Sequence, residues 1–493
     1  MLSFPFIKKF KKTIKSTILI STTVLILTIS TLGMINQTVI AQEAYALARK
    51  NTINFDWNQT VGLIPSNICG MNVRGGLVPY WGQTGNYVKS LQYLSPNAIR
   101  VHDSIWTDGI QNWRGWADNK TKGWNREKIK LFANNVRKWR ANAINPDITI
   151  TLGGFPDWMK KQKIYNWKWQ EVTEILDYSQ VDDLAEFYLD LVKILNTEEN
   201  LNINSFEITN EMDIQYAQKL TDNNMPTRMN DLADIYIEVA RKLKNHDSRF
   251  NLGGLSFARA DQFKNVEIFL ERLKVRNSKD LLDFLSYHFY ITGDKNEYTG
   301  DIIQKADTAI PFFQKNYKQL LWDKGFPNVK TNINEFNISW DGADQKMTNQ
   351  DSAMVDAVVL LDAVNNRVDY LSPWTDVDNE YGKFDQYYNQ RPAATIWNWC
   401  SKYMNGGFVL NQNNISGVDL MPVKMANGKK AVWAVNKSNY PQTVNISSNL
   451  GRSYNFQWLQ ISNVSQYSRE YTLDNNIGSN LVLPGNSVSI ATW

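Results

Sequence analysis

Cysteine and histidine are the scarcest chemistry in this 493-residue chain, which has two cysteines, Cys69 and Cys400, and three histidines, His102, His246 and His288. Two cysteines cannot build a disulfide framework. They leave either one bridge in an oxidising compartment or two buried thiols, and the second is the plainer reading. The histidines are scattered, with no His-x-x-x-His pair or Cys/His cluster, so no metal site is expected. No Gly-x-Gly-x-x-Gly or P-loop pattern is present, so a nucleotide cofactor has no cradle and no cofactor is expected. Net charge is low as well. Lys+Arg of 53 against Asp+Glu of 49 gives +4, and Lys8, Lys9, Lys11, Lys12 and Lys15 against Glu43 supply all of it within residues 1–46. The body is formally neutral, whereas nucleic-acid binding usually needs a basic field, so no nucleic-acid partner is expected.

The N-terminus carries those lysines, then an apolar run from Ser16 to Ile35 broken only by Ser, Thr, Gly and the like, then small-residue sites ending at Ala41 or Ala46. This is the order of an export signal. The run also approaches the length of a spanning helix, so residues 1–46 read as a cleaved signal peptide or as a membrane tether. Both readings place the body outside the cytoplasm, because the positive flank stays inside.

From about Ile68 to Cys400, short β-rich apolar runs alternate with longer helical patterns, the form of repeated βα units. Eight strands are expected: Ile68–Val73, Ala98–His102, Ile148–Leu152, Ser205–Thr209, Phe250–Leu255, Phe284–His288, Val329–Asn334 and Val368–Ser372. Amphipathic stretches such as Lys128–Ala143, Val181–Leu195, Leu232–Lys244 and Asp351–Asn365 are long enough for outer helices. The expected fold is α/β: a (β/α)₈ TIM barrel over 47–405, then a small C-terminal β-sandwich over 406–493. The sandwich is read from short alternating runs, Lys430–Asn436, Thr443–Ser447 and Ser487–Trp493, separated by Asn, Ser, Gly and Pro. No long linker intervenes, so the two units are expected to pack directly.

Active sites on such barrels lie at the C-terminal ends of the strands. The fourth expected strand ends in Asn210-Glu211 and the seventh in Asn334-Glu335, which puts two carboxylates on that rim. Cleavage of a glycosidic bond needs two: one protonates the leaving oxygen, while the other attacks the anomeric carbon or activates water. Gly254-Leu255-Ser256-Phe257-Ala258 imitates a hydrolase nucleophile elbow. It has Ala258 where the second Gly would stand and falls in the fifth expected strand, so it is set aside.

The chain resembles the clan of retaining (β/α)₈ glycosidases, and within it glycoside hydrolase family 39, the group containing β-xylosidases and α-L-iduronidases. The residues that carry the resemblance are Ile99-Arg100-Val101-His102, Phe206-Glu207-Ile208-Thr209-Asn210-Glu211, Ser286-Tyr287-His288-Phe289-Tyr290, Asn334-Glu335-Phe336-Asn337 and Ser372-Pro373-Trp374. The likeness implies an O-glycosyl hydrolase of the retaining type with Glu211 as acid/base and Glu335 as nucleophile. It also implies Asn210 as partner of the sugar 2-hydroxyl and an oligo- or polysaccharide as substrate. The family usually has Trp before Asn-Glu and Pro after it, where this chain has Thr209 and Met212, and it often has Thr in place of Asn334.

Arg100 is expected beside Glu335, where a guanidinium favours the ionised carboxylate, with a structural ion pair as the rival reading. Glu211 is expected to hold a proton, which the apolar flank of Met212 permits. Tyr290 is expected to bond Glu335 and His288 to line the subsite, with a plain core role open for both. Eighteen tryptophans exceed what this length requires, and Trp81, Trp106, Trp113, Trp116, Trp158 and Trp374 fall near expected rim segments. Apolar ring faces suit sugar C–H faces, and Trp374 is expected as the floor of the cleavage subsite, with Trp158 and His102 as further substrate contacts. The competing function is a glycan-binding or matrix protein that keeps the barrel and has lost turnover.

Overall fold

The computed structural model describes residues 52–492 apart from 56, 59, 74–83, 103–114, 143, 162–174, 218–227, 343, 405–406, 411–414, 449–455, 463–470 and 476–479. The N-terminal segment 1–46 and the expected junction at 405–406 lie outside the described residues. Among the described residues no helix is long and apolar enough to cross a membrane.

Two short strands, β1 (Thr52–Phe55) and β2 (Thr60–Leu63), come first. Eight strands then form one sheet: β3 (Gly70–Val73), β4 (Ala98–Val101), β5 (Asp147–Leu152), β6 (Ser205–Ile208), β7 (Asn251–Phe257), β8 (Phe284–Thr292), β9 (Lys330–Ser339) and β10 (Tyr370–Pro373). They are hydrogen-bonded in sequential order, every pair parallel. An isolated parallel bridge between Asn67 and Tyr370 brings β10 back to the start. The Asn72 amide donates across the same seam to the carbonyls of Asn334 (2.8 Å) and Pro373 (3.2 Å). This is a (β/α)₈ barrel.

Every residue of β3, β4 and β10 is buried, because helices cover the outside of a parallel barrel while side chains fill its interior. The outer layer holds α1 (Gly85–Leu94), α2 (Arg126–Ala141), α3 (Val181–Lys193), α4 (Met212–Tyr216), α5 (Arg228–His246), α6 (Phe263–Val275), α7 (Thr299–Lys324), α8 (Gln350–Asn365) and α9 (Pro392–Tyr403). α2 shows the local logic. Asn125 caps it by accepting from the Lys128 N–H, and Ile129, Phe132, Ala133, Val136 and Trp139 make one buried stripe at helical spacing. α8 departs from the amphipathic outer helix expected over Asp351–Asn365. Ser352–Leu361 are all buried, because the second face of this helix meets the C-terminal β unit. The Gln350 amide reaches the Ile461 carbonyl at 3.4 Å.

That unit contains β11 (Phe408–Leu410), β12 (Val418–Lys424), β13 (Lys430–Asn436), β14 (Gln442–Ser448), β15 (Phe456–Ser462), β16 (Tyr471–Asn475), β17 (Asn480–Leu483) and β18 (Ser487–Thr492). It forms a seven-stranded sheet, β16-β15-β18-β13-β12-β11-β2, and a three-stranded sheet, β1-β14-β17. Here the expected domain limits are corrected. β1 and β2 fall inside the 47–405 segment assigned to the barrel, yet they pair with β14 and β11. The β unit is therefore built from both ends of the described chain. It shares one apolar core with the barrel, and Trp399 of α9 meets Trp433 of β13 at 6.2 Å between ring centroids.

The plainer reading of the cysteines is also corrected, since Cys69 and Cys400 are buried but joined in a disulfide. Their Cα atoms stand 5.7 Å apart and 331 residues separate them in sequence, so the bond ties the entry to β3, the first barrel strand, to α9. A cross-link of that span removes much chain entropy from the unfolded state, an effect typically worth about 2–4 kcal/mol. Urea unfolding with and without reductant should show a loss of that order, reproduced by the Cys69→Ala/Cys400→Ala double variant. Coincident curves would mean that the bridge does not contribute.

Candidate active site

At the centre of the barrel mouth lies Arg100 of β4, only 1% exposed, with each of its five N–H donors used. Nε donates to Glu207 Oε2 (2.7 Å). Nη1 donates to Asn72 Oδ1 (3.0 Å) and Glu335 Oε2 (3.2 Å), and Nη2 to Asn210 Oδ1 (2.6 Å) and Ser256 Oγ (3.0 Å). A guanidinium in that setting works as a rigid jig, because no acceptor can move without leaving a buried donor unpaired. Burial alone would lower its pKa, but the charges of Glu207 and Glu335 outweigh that and raise it above the ordinary arginine value.

Sequence reasoning assigned no role to Glu207, Ser256 or Asn72, although all three touch this jig. Glu207 is buried in β6 and also accepts from Thr151 Oγ1 (3.2 Å) and from the Asn334 amide (2.6 Å). Its signal in the sequence is a charge inside an otherwise apolar strand, one residue out of step with Phe206 and Ile208, so that it faces the barrel interior. Ser256, in the segment set aside as an imperfect elbow, is fully buried and receives the Asn334 amide at 2.6 Å. It holds the network and faces no open cleft.

The chain around Glu211 is bent by three left-handed residues, Thr209 (φ 68°), Glu211 (φ 54°) and Ser256 (φ 54°). Such conformations cost roughly 1–3 kcal/mol each outside glycine and persist only where surrounding bonds enforce them. The Thr209 N–H goes to the Leu152 carbonyl and the Glu211 N–H to the Ser256 carbonyl, both at 2.9 Å. Close approach of β7 to β6 also requires Gly254, since a Cβ there would lie 2.5 Å from the Ile208 carbonyl oxygen. The bend turns Glu211 out of the strand and toward β8.

Glu335 sits on β9, 7% exposed, with Oε2 on Arg100 and Oε1 accepting from the Tyr290 hydroxyl at 2.6 Å. Burial and the Glu335 charge hold the Tyr290 phenol well above its ordinary pKa, so it stays a donor. Both carboxylate oxygens are thus oriented. Glu211 Oε1 lies 2.8 Å from His288 Nδ1, and His288 Nε2 lies 3.0 Å from Ser256 Oγ and 3.6 Å from Glu335 Oε2. Ligand-type atoms of Glu211, His288 and Glu335 all fall within 4.8 Å of one another. A cation could be set among them only by displacing the partners that His288 already has.

The expectation that Met212 lets Glu211 hold its own proton is corrected. Met212 is buried and burial does push the carboxyl upward, but the bond to His288 and the positive charge of His288, His102 and Arg100 bring it below its ordinary value. Burial would lower His288, yet the charges of Glu335 and Glu211 and the Glu211 bond raise it. Below that raised pKa the ring carries both of its protons. The one on Nδ1 is shared with Glu211 Oε1 and is the proton the pair can give up, while Nε2 keeps its own.

Of the other expected residues, His102 follows β4 and meets the half-buried Trp374 ring edge-on at 4.9 Å. Trp158 stands apart from this cluster, with its ring edge-on to Phe187 at 5.6 Å in the helix packing. Trp116 is buried against Phe132 and belongs to the core, while Trp81, Trp106 and Trp113 lie outside the described residues.

No protein-family profile matches the chain, and no curated protein does. Solved structures do. A monomeric β-xylosidase from Caulobacter crescentus CB15 aligns over 90% of this chain and 99% of its own at 15% identity, TM-score 0.62. A GH39 enzyme from Xanthomonas axonopodis pv. citri aligns over 90% and 96% at 15% identity, TM-score 0.63. A GH51 arabinofuranosidase from the same organism aligns over 90% and 99% at 13% identity, TM-score 0.64. At these identities the likeness establishes the shared fold of barrel and β unit.

Proposed function

We propose that this chain is a retaining O-glycosyl hydrolase acting on an oligo- or polysaccharide outside the cytoplasm, with Glu335 as nucleophile and Glu211 as acid/base. The observation that carries the reading is the spacing of the two carboxylates, whose oxygens approach within 4.8 Å. Retaining enzymes hold theirs roughly 5–5.5 Å apart, whereas inverting enzymes leave about 6.5–9.5 Å for a water. The enzymes that share this fold act on glycosides, which supports the same reading by analogy. Export is supported by the order of basic, apolar and small residues at the N-terminus and by the disulfide, which suits an oxidising compartment.

In this mechanism a Glu335 oxygen attacks the anomeric carbon as the C–O bond to the leaving group breaks, and the proton of the Glu211–His288 pair passes to the leaving oxygen. Water then attacks the glycosyl ester, Glu211 takes its proton, and Glu335 is released. Asn210 has its carbonyl fixed by Arg100, which leaves the amide N–H groups for the sugar 2-hydroxyl. Trp374 and His102 wall the glycone side. Anomer-resolved NMR of the first product tests the proposal: retained configuration is expected, and inverted product would refute it.

A pH prediction follows from the shared proton. His288 is raised above its usual value, so the pair keeps its proton below that raised pKa and loses it as pH rises through it. The kcat/KM for a substrate with a poor leaving group should therefore fall on an alkaline limb above pH 6.5. His288→Asn removes the second proton site and should move that limb down by about one pH unit or more, toward the carboxylate range. An unmoved limb would detach His288 from the acid step.

A further inference from the structure

Beyond Glu211 lies a cavity of about 780 Å³ walled by the ends of β7, β8 and β9 and by α7. Glu211 and Tyr290 border it, whereas Asn210, His102 and Trp374 do not. An acid that protonates the glycosidic oxygen stands between the two sugars being separated, so the space past Glu211 and away from Trp374 receives the leaving group. Its volume is within the roughly 300–1,000 Å³ usual for small-molecule sites.

Phe289, Ile291 and Phe313 give the cavity an apolar wall, and its outer edge is Trp340, which is 66% exposed. A large ring left in water is the informative case. This ring is nonetheless held in place. The Trp340 main chain is anchored at both polar groups, the backbone N–H on the Thr292 carbonyl (3.3 Å) and the backbone carbonyl under the Tyr381 hydroxyl (2.9 Å), and the ring itself packs over Gly293, where a Cβ would come within 2.3 Å of it. A fixed, exposed aromatic face beside a cleft is suited to the C–H face of a sugar and sacrifices little conformational freedom on binding.

The charges narrow the ligand further. Lys305 and Arg259 line the cavity, but Lys305 is paired with Glu297, and Arg259 with Asp261, whose Oδ1 accepts from Nε at 3.0 Å. Each cation has its own carboxylate, which leaves no surplus positive charge for a uronate. We propose that this cavity is a leaving-group subsite for a neutral sugar residue stacked on Trp340. The inference rests on the retaining-hydrolase reading and adds the class of the leaving residue.

The test compares two substrates with the same glycone: a neutral oligosaccharide and the glycosyl fluoride, whose leaving atom cannot reach the cavity. The glycone comes from screening the full exported chain against fluorides of xylose, arabinose, glucose and galactose. For Trp340→Ala, the ratio of kcat/KM on the oligosaccharide to that on the fluoride should fall about tenfold, mostly through KM, and Trp340→Phe should recover most of it. The ring is exposed, so both variants are expected to fold, and thermal melts check it. An unchanged ratio, or a preference for uronate over neutral leaving residues, overturns the subsite while leaving the hydrolase reading intact. Failure of the wild-type chain to hydrolyse any fluoride or oligosaccharide overturns both.

Discussion

Glu335→Gln is expected to lower turnover by roughly 10⁴–10⁶ for every leaving group, as removal of a covalent nucleophile does in other hydrolases. The amide is nearly isosteric: its single oxygen can accept from Arg100 Nη1 while its NH2 donates to the Tyr290 hydroxyl, which keeps both contacts of the carboxylate, 3.2 and 2.6 Å, with the second reversed in direction. Misplacement is therefore a poor explanation for the loss. Arg100 keeps Glu207 as its second buried carboxylate at 2.7 Å, so the charge is not stranded and the variant should fold. Changing the leaving group separates this role from the acid role. A good leaving group relieves the need for a proton but not the need for a nucleophile, so an activated aryl glycoside should be turned over no better than a natural one. Residual activity of a few per cent on the aryl glycoside would place the nucleophile elsewhere.

The carboxylates were readable from sequence because barrel chemistry is confined to one rim and both follow strands that end in Asn-Glu. Arg100, His288 and Tyr290 came from the same logic of strand ends. What stayed hidden depends on pairing across the chain. Glu207 and Ser256 matter through Arg100, 107 and 156 residues away, and no local period records such partners. The same holds for β1 and β2, whose four-residue runs carry no mark of the strands they join. Trp340 has no rim signal in the sequence because the pattern of the seventh strand ends at Asn334, whereas the strand runs to Ser339 and carries the rim outward. The Glu211 proton was assigned from its neighbour Met212, but the group that governs it, His288, lies 77 residues on. Sequence patterns of period two or 3.6 report which face a residue occupies, not what meets it there.

Removing Glu211 should give a different signature from removing Glu335. In Glu211→Ala the nucleophile and its Arg100 and Tyr290 partners remain, so an aryl glycoside with a good leaving group should still form the glycosyl ester. The ester should then accumulate, since no carboxylate remains to take the proton from water. Acid/base assistance of this kind is worth roughly 10²–10⁴, and the loss should be near the top of that range for a natural leaving group and near the bottom for the activated one. The vacated space lies on the leaving-group side and next to His288, which suits a small anion. Azide needs no base, so adding it should restore turnover and yield a glycosyl azide of the same anomeric configuration as the substrate. Rapid-quench mass spectrometry should find the sugar bound to a peptide containing Glu335. Rescue that gives the opposite anomer, or a label on Glu211 in the wild-type chain, would exchange the two roles and overturn the assignment.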